Sequence, residues 1–402
     1  LFIGENLSNL RIMRGYSRKQ LSDVLDVTEQ AVWQYENDYT SPKMEIVNNL
    51  KSIFNVKSKY FYTRDCLNRY FRAGNIPATN VAYRSKVMNT ISKTQAEAKH
   101  MAFLDSFVNY LTSKVSYPAQ NIIRLRDKII DYINTSNEDR DTQIKETAKL
   151  ARQELGLRND TNDHLMFSVE KSGVFIFEKA SGEEIDAYSL WTEQDRSFII
   201  LGNLKRSAVR RNFDIAHELG HLLLHYRVEF TTLDRNEHRA IEKEANQFAG
   251  AFLLPEAPLL ADMKTITRVT NPDAYIDLKK KWETSLQVLG YRAANLGVMD
   301  PKRHRNFYAA LHRKGYLKKE PIDETIPIQR PQKVKSIIDL VVKEGLVDIR
   351  HMIESDWMTD TSFFYQLTGI DVNFFNRYMS ADQDFELGNI TDLAQNARKR
   401  KV

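Results

Sequence analysis

Cysteine is nearly missing from this chain of 402 residues, and the single one, Cys66, cannot close an intramolecular disulfide. A fold stapled by disulfides is therefore excluded, and a reducing cytoplasm fits best. Long apolar runs are missing too. Stretches such as Phe198 to Leu201 fall far short of the roughly 20 residues that cross a bilayer, so no membrane anchor is expected. The N-terminus has no basic segment leading into an apolar one and a small-residue cleavage site, which argues against a secretory signal. The leading Leu1 suggests a start further upstream. Internal repeats and low-complexity tracts are absent. There is little excess of either charge: Lys and Arg number 58 against 53 Asp and Glu, a net +5, which suits nucleic-acid binding and ordinary solubility equally.

What is present is globular. The chain is 42% hydrophobic and 28% charged, and its length asks for two or three domains. Short amphipathic segments with tight connections predict a compact helical unit over residues 1–64. Residues 65–139 read as a helical linker region, with helices over Thr94 to Lys114 and Pro118 to Ile133 around a turn at KVSYP. The clear strand signals are Val174 to Phe177, Ala187 to Trp191 and Ser197 to Leu201, preceded by a helix over Thr142 to Leu155. Two helices follow, from about Arg211 to Tyr226 and from about Asn236 to Leu253, the latter stopped by Pro255. This block, 140–315, precedes a proline-punctuated linker from Glu320 to Pro331 and a last helical domain, 316–402, whose Trp357, Phe363, Phe364 and Phe375 suggest a core. The basic tail ARKRKV reads as a solvated end. The expected fold class is α+β, mainly helical.

Residues 217–221 read His-Glu-Leu-Gly-His. On a helix, histidines four apart share one face a turn apart, where both imidazoles reach one cation, and that geometry suits zinc. Glu218 is offset so that its carboxylate reaches a water rather than the metal, the place of a general base. With only 9 histidines, chance yields such a pentapeptide in roughly one chain in a hundred, so context matters. Here the motif sits in a helical run whose Ile215, Leu219, Leu222 and Leu223 can pack into a core. A catalytic zinc needs a third protein ligand, and the second helix offers Glu242 and Glu244. Glu242 is preferred, because Asn246 lies on its face and can hydrogen-bond a ligating histidine. Glu244, about 200° around the helix, is then expected in solvent. His225 is expected behind the ligands or at the surface. The ligand set would also tolerate manganese.

The segments FDIAHELGHLLLH and IEKEANQFAGAFLLPE resemble the ImmA/IrrE family of metallopeptidases. EEIDAYSLW and FIILGN are similar to that family's strands, and KWETSLQVLGYRAANLGVMD to the segment that closes its domain, so the resemblance spans roughly residues 140–315. It implies a zincin-like core with a small sheet, His217, His221 and Glu242 as metal ligands, and Glu218 as the base.

In the N-terminal unit, Ser17 can cap one helix and Thr28 the next after a short Asp-Val turn, with Leu21, Leu25, Val27, Val32 and Tyr35 spaced to share a core. This all-α unit resembles the Cro/C1-type, or XRE, helix-turn-helix domain. The resemblance implies double-stranded DNA as partner. Thr28, Glu29, Gln30, Trp33 and Gln34 would face bases, while Arg18, Lys19 and Lys43 would lie near phosphates. Nine Lys and Arg against seven Asp and Glu in residues 1–64 make a weak electrostatic footprint, so a protein-binding helical module is the competing reading. The expected function is a DNA-binding zinc metallopeptidase that cuts a helix-turn-helix repressor. The alternative is a regulator using the metallopeptidase fold as a sensor or dimerisation module, and a homodimer on DNA is compatible with either.

Overall fold

The computed structural model describes residues 1–64, 91–116, 120–179, 187–202, 207–226, 228, 233–379 and 391–392. Cys66, residues 183–186 of the family-like strand segment, and the tail ARKRKV lie outside the described residues. The architecture is mainly helical, with one three-stranded sheet and a two-stranded pairing.

Four helices, α1 (Gly4–Met13), α2 (Arg18–Leu25), α3 (Glu29–Glu36) and α4 (Met44–Phe54), make the N-terminal unit. Ser17 opens α2 with a reciprocal capping box to Gln20, and Asp26 turns the chain with φ 54°. Thr28 then caps α3 by accepting from the Ala31 amide at 3.1 Å. Caps of this kind stabilise a short helix by about 1 kcal/mol each. Leu21, Leu25, Val32, Val47 and Leu50 are buried between the helices.

This unit is not a separate bead. Helix α5 (Ile91–Thr112) packs on α1. The Lys57 amide donates to the Met358 carbonyl at 2.7 Å, the Asp360 amide donates to the Asn55 carbonyl at 3.1 Å, and a bridge joins Val56 to Thr359. One apolar core runs from Leu7 and Leu10 through Phe103 and Phe107 to Trp357, Phe363 and Phe364, and on to Phe175, Leu190 and Phe198 of the sheet.

After α5, Val115–Ser116 forms a short strand, β1, where the sequence reads a turn; it pairs in parallel with Thr391–Asp392. Helices α6 (Asn121–Thr135), α7 (Arg140–Glu154) and α8 (Leu165–Ser172) lead into β2 (Phe175–Lys179), β3 (Tyr188–Trp191) and β4 (Ser197–Gly202). The order is β2-β4-β3, with β2 parallel and β3 antiparallel to the central β4. Phe175, Phe177, Tyr188, Leu190, Phe198 and Ile200 face the core shared with the N-terminal unit, whereas Ile176, Ile199 and Leu201 face a second core. Both faces are covered, which is why the strands read as unbroken apolar runs.

The second core is closed by α9 (Ala208–Leu224) and α10 (Arg235–Leu253), then by α11 (Glu256–Met263), α12 (Ile276–Trp282), α13 (Leu286–Asn295) and α14 (Pro301–Arg313). Helices α9 and α10 cross closely at Gly220: a Cβ there would sit 3.0 Å from a Phe248 ring carbon. The stretch after α14 is irregular, as its prolines suggest, but it is packed down rather than free. Lys279 is fully buried and donates to Glu320 at 2.8 Å and to Asp323 at 2.5 Å, and Ile326 packs on Ala208 and Val209. Removing one partner of such a buried pair costs about 3–5 kcal/mol, because the other charge is stranded. The chain ends in α15 (Lys333–Lys343), α16 (Ile349–His351), which runs on as a π turn to Asp356, α17 (Thr361–Thr368) and α18 (Val372–Met379). Among the described residues no helix is long and apolar enough to cross a membrane.

Candidate metal centre

Helix α9 is buried almost all round because it lies between the sheet and α10. Its histidines are therefore held in place on both sides: His217 is 0% exposed and His221 5%. Their Nε2 atoms face one another at 3.0 Å. Glu242, on the adjacent α10, closes the triangle, 3.5 Å from His217 Nε2 and 3.3 Å from His221 Nε2. Among the described residues this is the group of His, Cys, Asp and Glu side chains able to hold a metal ion. Burial pushes the Glu242 carboxyl up, but hydrogen bonding to the two histidines overrides it and holds the group well below the usual carboxylate range.

The donors fit a divalent cation. Each histidine has its Nδ1 occupied elsewhere, His217 by Asn246 Oδ1 at 3.1 Å and His221 by His225 Nδ1 at 3.0 Å. Where both imidazoles donate from Nδ1, two Nε2 lone pairs turn toward each other and toward a carboxylate, and a cation between them relieves the repulsion. Two histidines and one carboxylate are a catalytic zinc ligand set that leaves a coordination position open.

Glu218 lies on the same helix and is 1% exposed. Ser189 of β3 reaches across: its hydroxyl is 2.8 Å from Glu218 Oε2 and 3.1 Å from the Glu218 carbonyl. Sequence reading passed over Ser189. The signal was there in the strand's alternation, since Tyr188 and Leu190 point to one face and a lone serine between them points to the other.

Residues 169–294 match the family model described as IrrE N-terminal-like domain (Peptidase_M78), and residues 7–61 match the one described as Helix-turn-helix. The chain carries an IrrE N-terminal-like domain behind a helix-turn-helix domain. No curated protein matches it. Among solved structures it is similar to a Mycobacterium tuberculosis transcriptional regulator, at 17% identity and a TM-score of 0.28, over 46% of this chain and 54% of that one. The chain thus spans about half the length of that structure.

Behind His221, the IrrE-like domain departs from expectation at Glu244. The helical wheel places it in solvent; instead it is half-buried, its Oε2 3.1 Å from His225 Nε2 and 2.6 Å from Arg140 Nη2. The wheel fails because α7 packs against α10 on that side. Burial lifts the Glu244 carboxyl, yet hydrogen bonds from His225 and Arg140 bring it down to about 2. His225 is itself buried, and burial pushes its imidazole down to about 4 against the pull of Glu244. The Tyr226 hydroxyl lies 3.4 Å from Asp195 Oδ1 and its ring 4.2 Å from the Arg126 guanidinium.

In the helix-turn-helix domain, Thr28, Glu29, Gln30 and Trp33 lie exposed along the start and outer face of α3, with Gln34 half-buried. Trp33 stacks on the exposed Tyr39, ring centroids 5.1 Å apart. Lys43 is exposed. Arg18, however, bonds Glu36 through Nε at 2.6 Å, sharing that carboxylate with Arg11, and Lys19 pairs with Asp23. The helix α3 itself, EQAVWQYE, carries no cation.

Proposed function

We propose that this protein is a DNA-binding zinc metallopeptidase that hydrolyses a peptide bond in a helix-turn-helix repressor and so relieves repression. The observation that carries this reading is the convergence of His217, His221 and Glu242 beside a buried, separately held Glu218. His217, His221 and Glu242 would hold the zinc, whose Lewis acidity serves both the scissile carbonyl and the attacking water. Glu218 takes the proton from that water and returns it to the leaving amine. Ser189 keeps the Glu218 carboxylate in one rotamer while it does so. A site meant only to hold structure would close with a fourth ligand and need no base.

A second reading is favoured by the apolar core that joins the helix-turn-helix domain to the sheet. In it the metal domain senses a signal and proteolysis is minor. Glu218→Gln separates the two, because it keeps the ligands and removes the base. Wild-type chain should cut a helix-turn-helix repressor encoded beside its gene, and the variant should bind zinc equally while cutting at least about 100-fold more slowly. Stoichiometric zinc without cleavage by either protein would sink the peptidase reading and leave the sensor.

A further inference from the structure

Behind His221 runs a chain of polar contacts that ends on an arginine: His221 Nδ1 to His225 Nδ1 at 3.0 Å, His225 Nε2 to Glu244 Oε2 at 3.1 Å, and Glu244 Oε2 to Arg140 Nη2 at 2.6 Å and Nε at 3.1 Å. We propose that His225, Glu244 and Arg140 are positioning residues that set the tautomer of His221 and thereby the metal affinity of the site. This rests on the metal-centre reading above.

The direction of the chain is fixed from its outer end. Arg140 can only donate, so Glu244 is an ionised acceptor. A carboxylate facing His225 Nε2 requires a proton on that nitrogen. A singly protonated His225 then has a bare Nδ1, which accepts from His221 Nδ1–H. His221 is left with its lone pair on Nε2, the atom that faces His217 and Glu242. With His225 neutral, the proton positions follow from Arg140 inward. His217 lacks this constraint, because its partner Asn246 offers an acceptor at one end of its amide and a donor at the other. The two ligands are thus unequal: His221 is locked for metal binding before any metal arrives, and His217 is held by a partner that can serve either tautomer.

The locking comes from two elements outside the motif helix, since Arg140 begins α7 and Glu244 lies on α10. Glu244 is two residues from Glu242, so one helix supplies both a ligand and the anchor of another ligand's orientation.

The full-length protein would be titrated with zinc against a chromophoric chelator, comparing wild type with His225→Leu, Glu244→Gln and His225→Gln. In parallel, nitrogen-15 spectra of the metal-free wild type would report which nitrogen of His221 is protonated. We expect His225→Leu to weaken zinc binding by about 10- to 100-fold. Glu244→Gln should weaken it less, and His225→Gln, which can accept and donate at the same two ends, should restore most of the affinity. His221 should be protonated at Nδ1. Equal affinity in wild type and His225→Leu, or a proton on His221 Nε2, would overturn the proposal while leaving the metal centre intact. If wild type itself binds no zinc, both fall together. Thermal melts of the metal-free proteins show whether a variant has lost its fold, and the spectra of wild type decide the tautomer whichever variants survive.

Discussion

His100 is an imidazole sealed inside the protein, where α5 meets the sheet and the C-terminal helices. Its Nε2–H donates to the Leu367 carbonyl at 2.9 Å, and the groups facing it are Glu97, Lys179 and Arg14. Burial, helped by the charges of Lys179 and Arg14 and opposed by Glu97 and the Leu367 carbonyl, pushes its pKa down to about 3. The unfolded chain takes a proton on this residue near 6.5, while the folded one waits until about 3. Between those values the unfolded state binds more protons, so stability holds above pH 6.5 and is lost as pH falls below it. The limiting slope is about 1.4 kcal/mol per pH unit. His100→Gln keeps a donor for Leu367 and cannot titrate. Urea unfolding at pH 7 and pH 5 should show wild type losing about 2 kcal/mol more than the variant; parallel losses would show that His100 is not the group responsible.

At the scale of elements, the candidate metal site depends on how close α9 and α10 come. The motif supplies its own means of approach in Gly220, where a Cβ would sit 3.0 Å from the Phe248 ring of α10 and the ring would have to give. Leucine there would force the Phe248 ring and its helix outward, carrying Glu242 away from the two histidines. If the proposed ligand set holds zinc, Gly220→Leu should keep its helical circular dichroism and lose zinc affinity by more than tenfold, because two of the three proposed ligands remain. Retained affinity would mean that Glu242 is dispensable. A second close approach ties the C-terminal helices to the sheet: Gly369 has φ +69°, and a Cβ on it would lie 1.9 Å from the Glu178 carbonyl oxygen. Much of this was legible in the chain. The spacing of His217, His221, Glu242 and Asn246 placed four side chains on facing helices, and the caps at Ser17 and Thr28 marked the helix-turn-helix. The strand's alternation set Ser189 on the face opposite Tyr188 and Leu190 but could not name Glu218 as its partner, and Glu244 was not legible as part of the site, because Arg140 comes from an element far away in sequence.

For the whole molecule, the N-terminal unit, α5, the C-terminal helices and one face of the sheet share an apolar core. Phe364 lies near its middle, 0% exposed, in ring contact with Phe107, Trp357, Phe363 and Phe375. Phe364→Ala should cost about 3–5 kcal/mol. If the core is one cooperative unit, amide exchange should quicken in α1–α4 and in β2–β4 alike. Wild-type protection in the helix-turn-helix domain of that variant would show that the domain stands alone. A sensor would need coupling of this kind, with strain at the sheet carried to the helix-turn-helix domain through packed side chains.

What the sequence by itself determined is local: helical period, capping residues, turn chemistry and the spacing of the histidines, each set by neighbours within a few positions. That is enough to bring His217 and His221 onto one face and to name Glu242 as their complement. Only the tertiary structure decided where the outward faces go. Glu244 is bonded rather than solvated because α7 covers it, the proline-rich stretch is anchored because Lys279 needs Glu320 and Asp323, and Arg18 is paired because Glu36 is buried beside it. Buried charge must find a partner, and which partner it finds is a matter of packing between distant segments.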